Sequence, residues 1–142
     1  MSNASLTTLE RCNQAGVGTL TAHLGITITA IKHSEAQAEL PVKSFLLAPN
    51  GYLHAGTVIS LADTATGFGC MASLPEGASG FTTIEIKSNH LGTAREGELI
   101  CTATAAHLGK TTQVWDAVVK NKATDQTIAL FRCTQLILYP KK

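Results

Sequence analysis

Residues 57–71 constrain the possible folds most, because they form a helix-like segment that lacks a polar face. Their side chains are almost all apolar or small, and Asp63 is the only formally charged residue between Lys43 and Glu76. A helix that is apolar on every side is normally buried inside a protein. We therefore predict one long buried helix, around which the rest of the chain must be arranged.

Asp63 is the exception within this helix. A buried carboxylate without a partner is very costly, so a lone one needs either a bonding partner or a chemical task. The positions one helical turn away, where a partner would lie, contain no basic side chain: they hold Ile59, Ser60, Thr66 and Gly67. Asp63 is therefore the first candidate for a functional residue.

Six other segments have the pattern of β-strands. Residues 23–33 are rich in β-branched side chains, and residues 35–42 alternate apolar and polar side chains, so we predict that they pair as a hairpin. Residues 81–90 form the next strand, after the helix. Short connections between the last three segments predict an antiparallel meander: 98–108, 111–121 and 127–138.

The predicted fold class is α+β, with an antiparallel sheet of about six strands and the long helix between the second and third strands. Because a flat sheet cannot cover a helix that is apolar on every side, the sheet must curl around it, which is the shape of the hotdog fold. Residues 6–15 are predicted to form a leading helix within the segment 1–16. No internal linker is visible, so residues 1–142 are assigned to a single domain.

The start of the long helix carries a motif. His54-Ala55-Gly56 is followed by Leu61-Ala62-Asp63, with the aspartate nine residues after the histidine. This order and spacing resemble the HGG…(L/A)D signature of hotdog acyl-CoA thioesterases of the phenylacetate-pathway (PaaI-like) group. The resemblance covers residues 24–138 and includes three further segments: 83–86, 109–111 and 121–124. It implies an acyl-CoA hydrolase without a cofactor, because coenzyme A is part of the substrate.

This motif contains the groups that thioester hydrolysis needs, namely a base or nucleophile and a group that stabilises charge on the carbonyl oxygen. Asp63 can supply the first, either by activating water or by attacking the thioester. The helix start can supply the second, because the free N–H groups of Ala55, Gly56 and Thr57 favour an oxyanion. The resemblance implies that the Ala55 N–H polarises the thioester carbonyl.

Three more positions belong to the candidate site. The resemblance implies a hydroxyl near the carboxylate from the strand after the helix, which corresponds to Thr83 or, with a shift of one residue, to Thr82. His54 is interpreted as a residue that starts the helix with a structural hydrogen bond, with a general base as the alternative. Asn50 either shapes its turn or contacts the ligand.

The sequence departs from the family pattern at two positions. Ala55 replaces the usual glycine after the histidine, which keeps the backbone N–H but adds a methyl group. Ala48 occupies the position six residues before the histidine, where the family often has Asn or Gln. Asn50, four residues before the histidine, is a candidate to replace that amide.

Few residues outside this motif indicate a function. Arg95, Lys110 and Lys87 are candidates to contact the phosphates of coenzyme A, but isolated basic residues are usually solvated surface. The other histidines lack metal-ligand spacing, so no metal site is predicted: His23, His33, His90 and His107. The cysteines lack CxxC spacing and are interpreted as reduced thiols of a cytoplasmic protein: Cys12, Cys70, Cys101 and Cys133.

Charge and hydropathy exclude two classes of partner. The net charge is +1, with no basic stripe and no apolar run of membrane-spanning length, so the sequence predicts binding to neither nucleic acid nor membranes. Two alternative functions stay open: a hotdog dehydratase or hydratase of hydroxyacyl or enoyl thioesters, and a non-catalytic acyl-CoA binding module. A helix-borne aspartate after an HxG turn favours hydrolysis.

The predicted partner is a second copy of the chain. Residues 81–90 should lie at a sheet edge, and an exposed β-branched edge favours pairing in a two-fold dimer. The resemblance implies a homodimer of this kind and, in many members, a homotetramer. It also implies shared active sites, in which Asp63 and Thr83 of one subunit face three residues of the other: Asn50, His54 and Ala55.

Overall fold

The computed structural model describes residues 6–142, so residues 1–5 of the leading segment 1–16 lie outside the described residues. It confirms the α+β class, with six strands and one helix of 18 residues. No helix within residues 6–142 combines the length and apolar character needed to cross a membrane. The elements are α1 (Thr8–Ala15), α2 (Leu20–Leu24), β1 (Thr27–Lys32), β2 (Glu35–Pro41), α3 (Ala55–Ala72), β3 (Gly80–His90), β4 (Glu98–Leu108), β5 (Thr112–Asn121) and β6 (Thr127–Leu138).

All six strands form one antiparallel sheet in the order β1-β2-β4-β5-β6-β3. The predicted hairpin of β1 and β2 and the predicted meander of β4, β5 and β6 are both confirmed. β3 pairs only with β6 and lies at an edge of the sheet, which confirms the predicted edge position of the strand that follows the long helix.

The beginning of the chain differs from the prediction. Residues 20–24 form the short helix α2, so β1 begins at Thr27 and the predicted strand from residue 23 is wrong at its start. Gly25 ends α2 with a φ of 90°, a left-handed conformation that glycine adopts without strain. Farther upstream, α1 begins after Thr7, which forms a capping box with Glu10.

α3 packs one face against the sheet and leaves the opposite face partly open. The buried face comprises Thr57, Val58, Leu61, Ala62, Ala65, Thr66, Gly69 and Cys70. The opposite face includes Asp63, Gly67 and Phe68, which are only partly buried. A helix with no polar face therefore has, within one chain, an apolar side that the sheet does not cover.

The cysteines are core residues rather than reactive groups. All four are free, and three are buried: Cys70, Cys101 and Cys133. Burial raises the pKa of the Cys70 and Cys101 thiols to about 12, so both stay protonated at neutral pH.

Gly69 marks a very close approach between α3 and the sheet. A Cβ atom at this position would lie 2.7 Å from Cζ3 of Trp115, a fully buried side chain of β5. Overpacking of this kind costs about 1–3 kcal/mol or more, whereas replacing glycine by alanine in a helix gains about 1 kcal/mol. We therefore predict that Gly69→Ala unfolds at a lower urea concentration than the wild type.

Gly67→Ala is the matched control for this prediction. It lies on the same helix, and its Cβ would meet Cζ of Phe81 at 3.2 Å, a partly buried ring with room to move. We expect Gly67→Ala to unfold at an equal or higher urea concentration than the wild type. If Gly69→Ala were as stable as Gly67→Ala, the contact between Trp115 and α3 would have room for a methyl group.

Candidate active site

Asp63 lies near the middle of α3, on its partly covered face. Its side chain opens into a pocket of about 260 Å³, whose other lining residues are Thr21, Thr64, Gly67, Phe68, Met71 and Phe81. Burial raises the pKa of the Asp63 carboxyl, and the Thr83 hydroxyl oxygen lies 3.5 Å from Asp63 Oδ1. The site therefore combines a carboxylate of increased basicity with an apolar pocket.

Asp63 forms no ion pair with any of residues 6–142. The ion pairs of this part of the chain lie at the surface, as between Asp116 and Arg132. A structural carboxylate is normally balanced by a basic side chain or by several hydrogen bonds, but Thr83 alone among the described side chains reaches Asp63. A partly buried carboxylate with so little support is typical of a functional site.

The first turn of α3 leaves one amide group available. His54 caps the helix, because its Nδ1 accepts a hydrogen bond from the Gly56 N–H at 2.7 Å and its carbonyl accepts one from the Thr57 N–H at 3.0 Å. The Ala55 N–H has no partner among the described residues, and Ala55 is exposed. Of the three amides predicted to favour an oxyanion, two are thus occupied by bonds to His54.

Ala55 and Asp63 are too far apart to act together within one chain. They are eight residues apart on the same helix, and a rise of 1.5 Å per residue separates them by about 12 Å. Groups that act on one carbonyl must approach it to about 3–3.5 Å. A single subunit therefore contains both the Asp63 carboxylate and the Ala55 N–H, but does not bring them to the same carbonyl.

The remaining predicted residues occupy different positions around these two groups. Asn50 is exposed, and its Oδ1 accepts a hydrogen bond from the Tyr52 N–H at 3.1 Å, so it shapes the turn before the helix. Thr83 is partly buried and reaches Asp63, whereas Thr82 is exposed, so Thr83 is the strand hydroxyl beside the carboxylate.

The candidate phosphate contacts lie near opposite ends of α3. The Arg95 guanidinium stacks on the Tyr52 ring at 4.5 Å, beside the loop that leads into the helix. Lys110 instead lies near Pro75 and Glu76, after the helix ends. One chain does not bring these two cations together. Residues 6–142 contain no cluster of three or more side chains suited to holding a metal ion.

Two contributors to the site were not predicted. Gln135 is fully buried on β6, and its Oε1 accepts a hydrogen bond from the Thr83 hydroxyl at 2.7 Å. The sequence contained a signal for it, because a polar side chain occupies an inward position of an alternating strand, between Cys133 and Ile137. Thr21 of α2 also lines the Asp63 pocket. The helix α2 was not predicted, because the β-branched residues that follow it indicated a strand.

The match with known protein families agrees with this geometry. The family model described as thioesterase superfamily matches residues 50–128. The 1,4-dihydroxy-2-naphthoyl-CoA hydrolase of Listeria monocytogenes is 33% identical over 119 residues, which is 84% of this chain and 95% of that protein.

Solved structures give the same result. A thioesterase from Haemophilus influenzae has a TM-score of 0.87 at 30% identity, covering 94% of this chain and 92% of that one. A thioesterase from Staphylococcus aureus, in which a glutamine is replaced by alanine, has a TM-score of 0.79 at 31% identity, covering 84% of this chain and 98% of that one. A second structure of that protein replaces a glutamate, and the spacing between the two changed residues equals that between Ala48 and Asp63. The chain belongs to the thioesterase superfamily.

Proposed function

We propose that this protein is an acyl-CoA thioesterase of the phenylacetate-pathway (PaaI-like) group, which releases a free acid and coenzyme A. The observation that carries the proposal is the partly buried Asp63 carboxylate, which opens into a largely apolar pocket and has no ion-pair partner within residues 6–142. An apolar pocket suits an acyl chain, and a carboxylate of raised pKa suits proton transfer near neutral pH.

In the proposed reaction, Asp63 activates water or attacks the thioester itself, and the Ala55 N–H polarises the carbonyl. With water as the nucleophile, its oxygen bonds to the carbonyl carbon while Asp63 takes the proton. Negative charge then develops on the carbonyl oxygen, where an unpaired amide at a helix start stabilises it. Collapse of this intermediate breaks the C–S bond, and the departing sulfur takes the proton.

The two groups come together if two subunits share each site. β3 is an edge strand of 11 residues, on which Ile84 and Ile86 are 56% and 42% exposed. An apolar unpaired edge of this length favours pairing with a second copy. We propose that a two-fold homodimer brings Asp63 and Thr83 of one subunit to Asn50, His54 and Ala55 of the other.

Pairing of two dimers into a tetramer would cover further apolar surface. β6 exposes three leucines: Leu130, Leu136 and Leu138. Surface residues of this kind, grouped on one strand, favour contact with another subunit.

Arg95 is the proposed contact for the coenzyme A phosphates. Its guanidinium is exposed and stacked on Tyr52, beside the end of α3 that carries Ala55. The reaction needs no cofactor beyond the coenzyme A of the substrate. The free thiols of the chain suit a reducing compartment, so we place the activity in the cytoplasm.

A panel of acyl-CoA thioesters tests the proposal. Short, medium, long and aryl thioesters are incubated with the protein, and free thiol is followed with and without a chelator. We expect hydrolysis of at least one class at a rate that the chelator leaves unchanged, because Asp63 and an amide group carry the chemistry. The aryl class is included because the Listeria monocytogenes relative is named for an aryl thioester.

Each alternative function has its own outcome in this panel. Hydration of an enoyl thioester would identify a hydratase, whereas tight binding without thiol release would identify a binding module. Activity that is lost on chelation and restored by a metal ion would contradict the proposed chemistry.

A further inference from the structure

A chain of buried hydrogen bonds lies behind Asp63 and connects three elements of the fold. The Cys133 thiol of β6 donates to Thr66 Oγ1 of α3 at 3.4 Å, and Gln135 Nε2 donates to Cys133 Sγ at 3.4 Å. The Thr83 hydroxyl of β3 donates to Gln135 Oε1 at 2.7 Å. Thr66, Cys133 and Gln135 are at most 1% exposed, so protein atoms rather than solvent decide these bonds.

The hydrogen bonds of Thr66, at one end of this series, fix the direction of every other bond in it. The Thr66 hydroxyl donates its proton to the backbone carbonyls of Ala62 and Asp63, at 3.0 and 3.1 Å, and carbonyls can only accept. The Thr66 oxygen must therefore accept from the Cys133 thiol, whose sulfur accepts from the NH₂ group of Gln135. The amide consequently presents its oxygen to Thr83, and the Thr83 hydroxyl must donate to it.

Thr83 has one proton and two acceptors within reach. Gln135 Oε1 lies at 2.7 Å and Asp63 Oδ1 at 3.5 Å, so the amide oxygen takes the proton. We propose that Gln135 is a positioning residue that turns the Thr83 proton away from Asp63, which keeps the carboxylate basic and presents the Thr83 oxygen to the site as an acceptor. The proposal rests on the catalytic role of Asp63 proposed above.

This arrangement has a chemical consequence for the hydrolysis. A water molecule that lies beside Asp63 and Thr83 and contacts both can donate one proton to the carboxylate and the other to the threonine oxygen. Its lone pair is then free to attack the thioester carbonyl. Gln135 thereby favours Asp63 as a general base acting through water over Asp63 as a direct nucleophile.

The other ionisable groups around Asp63 do not compete with this effect. Burial raises the Asp63 pKa, and no charged side chain of the described residues contributes to it. Burial raises the pKa of Cys133, whose thiol bonds to Thr66 of α3, to about 11, so this thiol is neutral at working pH. Four charged or ionisable side chains of the neighbouring elements are exposed or paired elsewhere: His23 of α2, Glu85 and Lys87 of β3, and Arg132 of β6.

Direct measurement of the Asp63 pKa tests the inference without any substrate. The chain has three aspartates, Asp63, Asp116 and Asp125, so ¹³C labelling of aspartate carboxyls gives three signals. The signal that is missing in Asp63→Asn belongs to Asp63. In Gln135→Met the amide oxygen is lost and the Thr83 proton turns to Asp63. Because a hydrogen bond to the charged form stabilises it, the Asp63 pKa should fall by about 0.5–1 unit.

The double variant separates this mechanism from a loosened site. Extra water admitted by a looser core would also lower the pKa, but that effect would persist without Thr83. We expect Thr83→Val/Gln135→Met to return the Asp63 pKa to the value of Thr83→Val alone. A shift that survives in the double variant, or a folded Gln135→Met protein without a shift, would overturn the proposal.

Gln113→Met is the matched control. Gln113 is also fully buried and pairs directly with Gln135 in the β5–β6 register, but its amide bonds to the Ser73 carbonyl and the Trp115 indole. It should change stability and leave the Asp63 pKa unchanged; an equal shift in Gln113→Met would show that any buried amide acts on Asp63.

Cys133→Ala provides a second variant if Gln135→Met does not fold. It removes the acceptor of the Gln135 NH₂ group, so the amide can reverse and Thr83 can donate to Asp63. The Asp63 pKa should again fall, and an unchanged value would contradict the proposal. Where thioester hydrolysis is measurable, the acid limb of kcat/KM should move to lower pH with the pKa. If no thioester is hydrolysed, the pKa result still decides the role of Gln135.

Discussion

Asp63→Asn should lower kcat for acyl-CoA hydrolysis by roughly 10²–10⁴-fold, the usual loss for a general base. Asparagine has the shape of aspartate but neither accepts the proton of water nor attacks a thioester. Because the side chain lies at an apolar pocket with no ion-pair partner within residues 6–142, its charge is not needed to hold the fold together. Steady-state kinetics on the best thioester of the panel measures the loss.

Stability against pH provides the control for this variant. Burial raises the Asp63 pKa, so the folded protein binds this proton more tightly than the unfolded chain, and the charged carboxylate costs stability above the folded pKa. Asp63→Asn should therefore melt at an equal or higher temperature than the wild type at neutral pH. This advantage should shrink as the pH falls through the folded pKa toward the ordinary carboxyl range.

Asp116→Asn is the matched variant for activity. Asp116 pairs with Arg132 at the surface, and this guanidinium lowers the Asp116 pKa, opposite to the shift of Asp63. Its replacement should leave turnover unchanged. Wild-type turnover in Asp63→Asn would show instead that the carboxylate is structural.

The sequence predicts most of the fold because its hydrophobic patterns are long and distinct. A long segment with no polar face predicts a helix packed on the core, and strands of ten or more residues with short connections predict an antiparallel meander. α2 was missed because it has five residues, no side-chain cap and a strand directly after it. Short helices of this kind depend on tertiary packing rather than local pattern.

The candidate site is predictable only in parts. Asp63 stands out as a charge in an apolar segment, and the resemblance points to Thr83, which the structure places 3.5 Å away. The occupied amide of Gly56 could not be predicted, because it depends on how the His54 ring folds back over the helix start. Gln135 lies 72 residues after Asp63 in the chain, and only the pairing of β3 with β6 brings it behind Thr83.

Ala55→Pro should lower kcat by about 10²–10³-fold, the usual loss for one oxyanion donor. Proline removes the N–H of Ala55 and little else, because this residue is the first of α3, a position where proline fits a helix. His54 already has the extended conformation that a residue before proline needs, with φ −67° and ψ 132°. Ala55→Gly keeps the N–H and should retain most of the activity.

Mixing the two inactive variants tests whether subunits share the site. In a dimer of one Asp63→Asn and one Ala55→Pro subunit, a shared arrangement puts both lesions in one site and none in the other. Random pairing makes half of the dimers mixed, so refolding equal amounts together should restore about one quarter of wild-type activity. The same mixture without unfolding measures the background.

The alternative arrangement predicts a different result from the same mixture. If each subunit carried its own complete site, every site would contain one lesion, and no activity would return. Tagging the two variants differently and purifying the doubly tagged species shows whether mixed dimers form. Mixed dimers without activity would contradict a shared site. Ala55 and Asp63 of the same subunit would then have to act on one carbonyl, although about 12 Å of helix separates them.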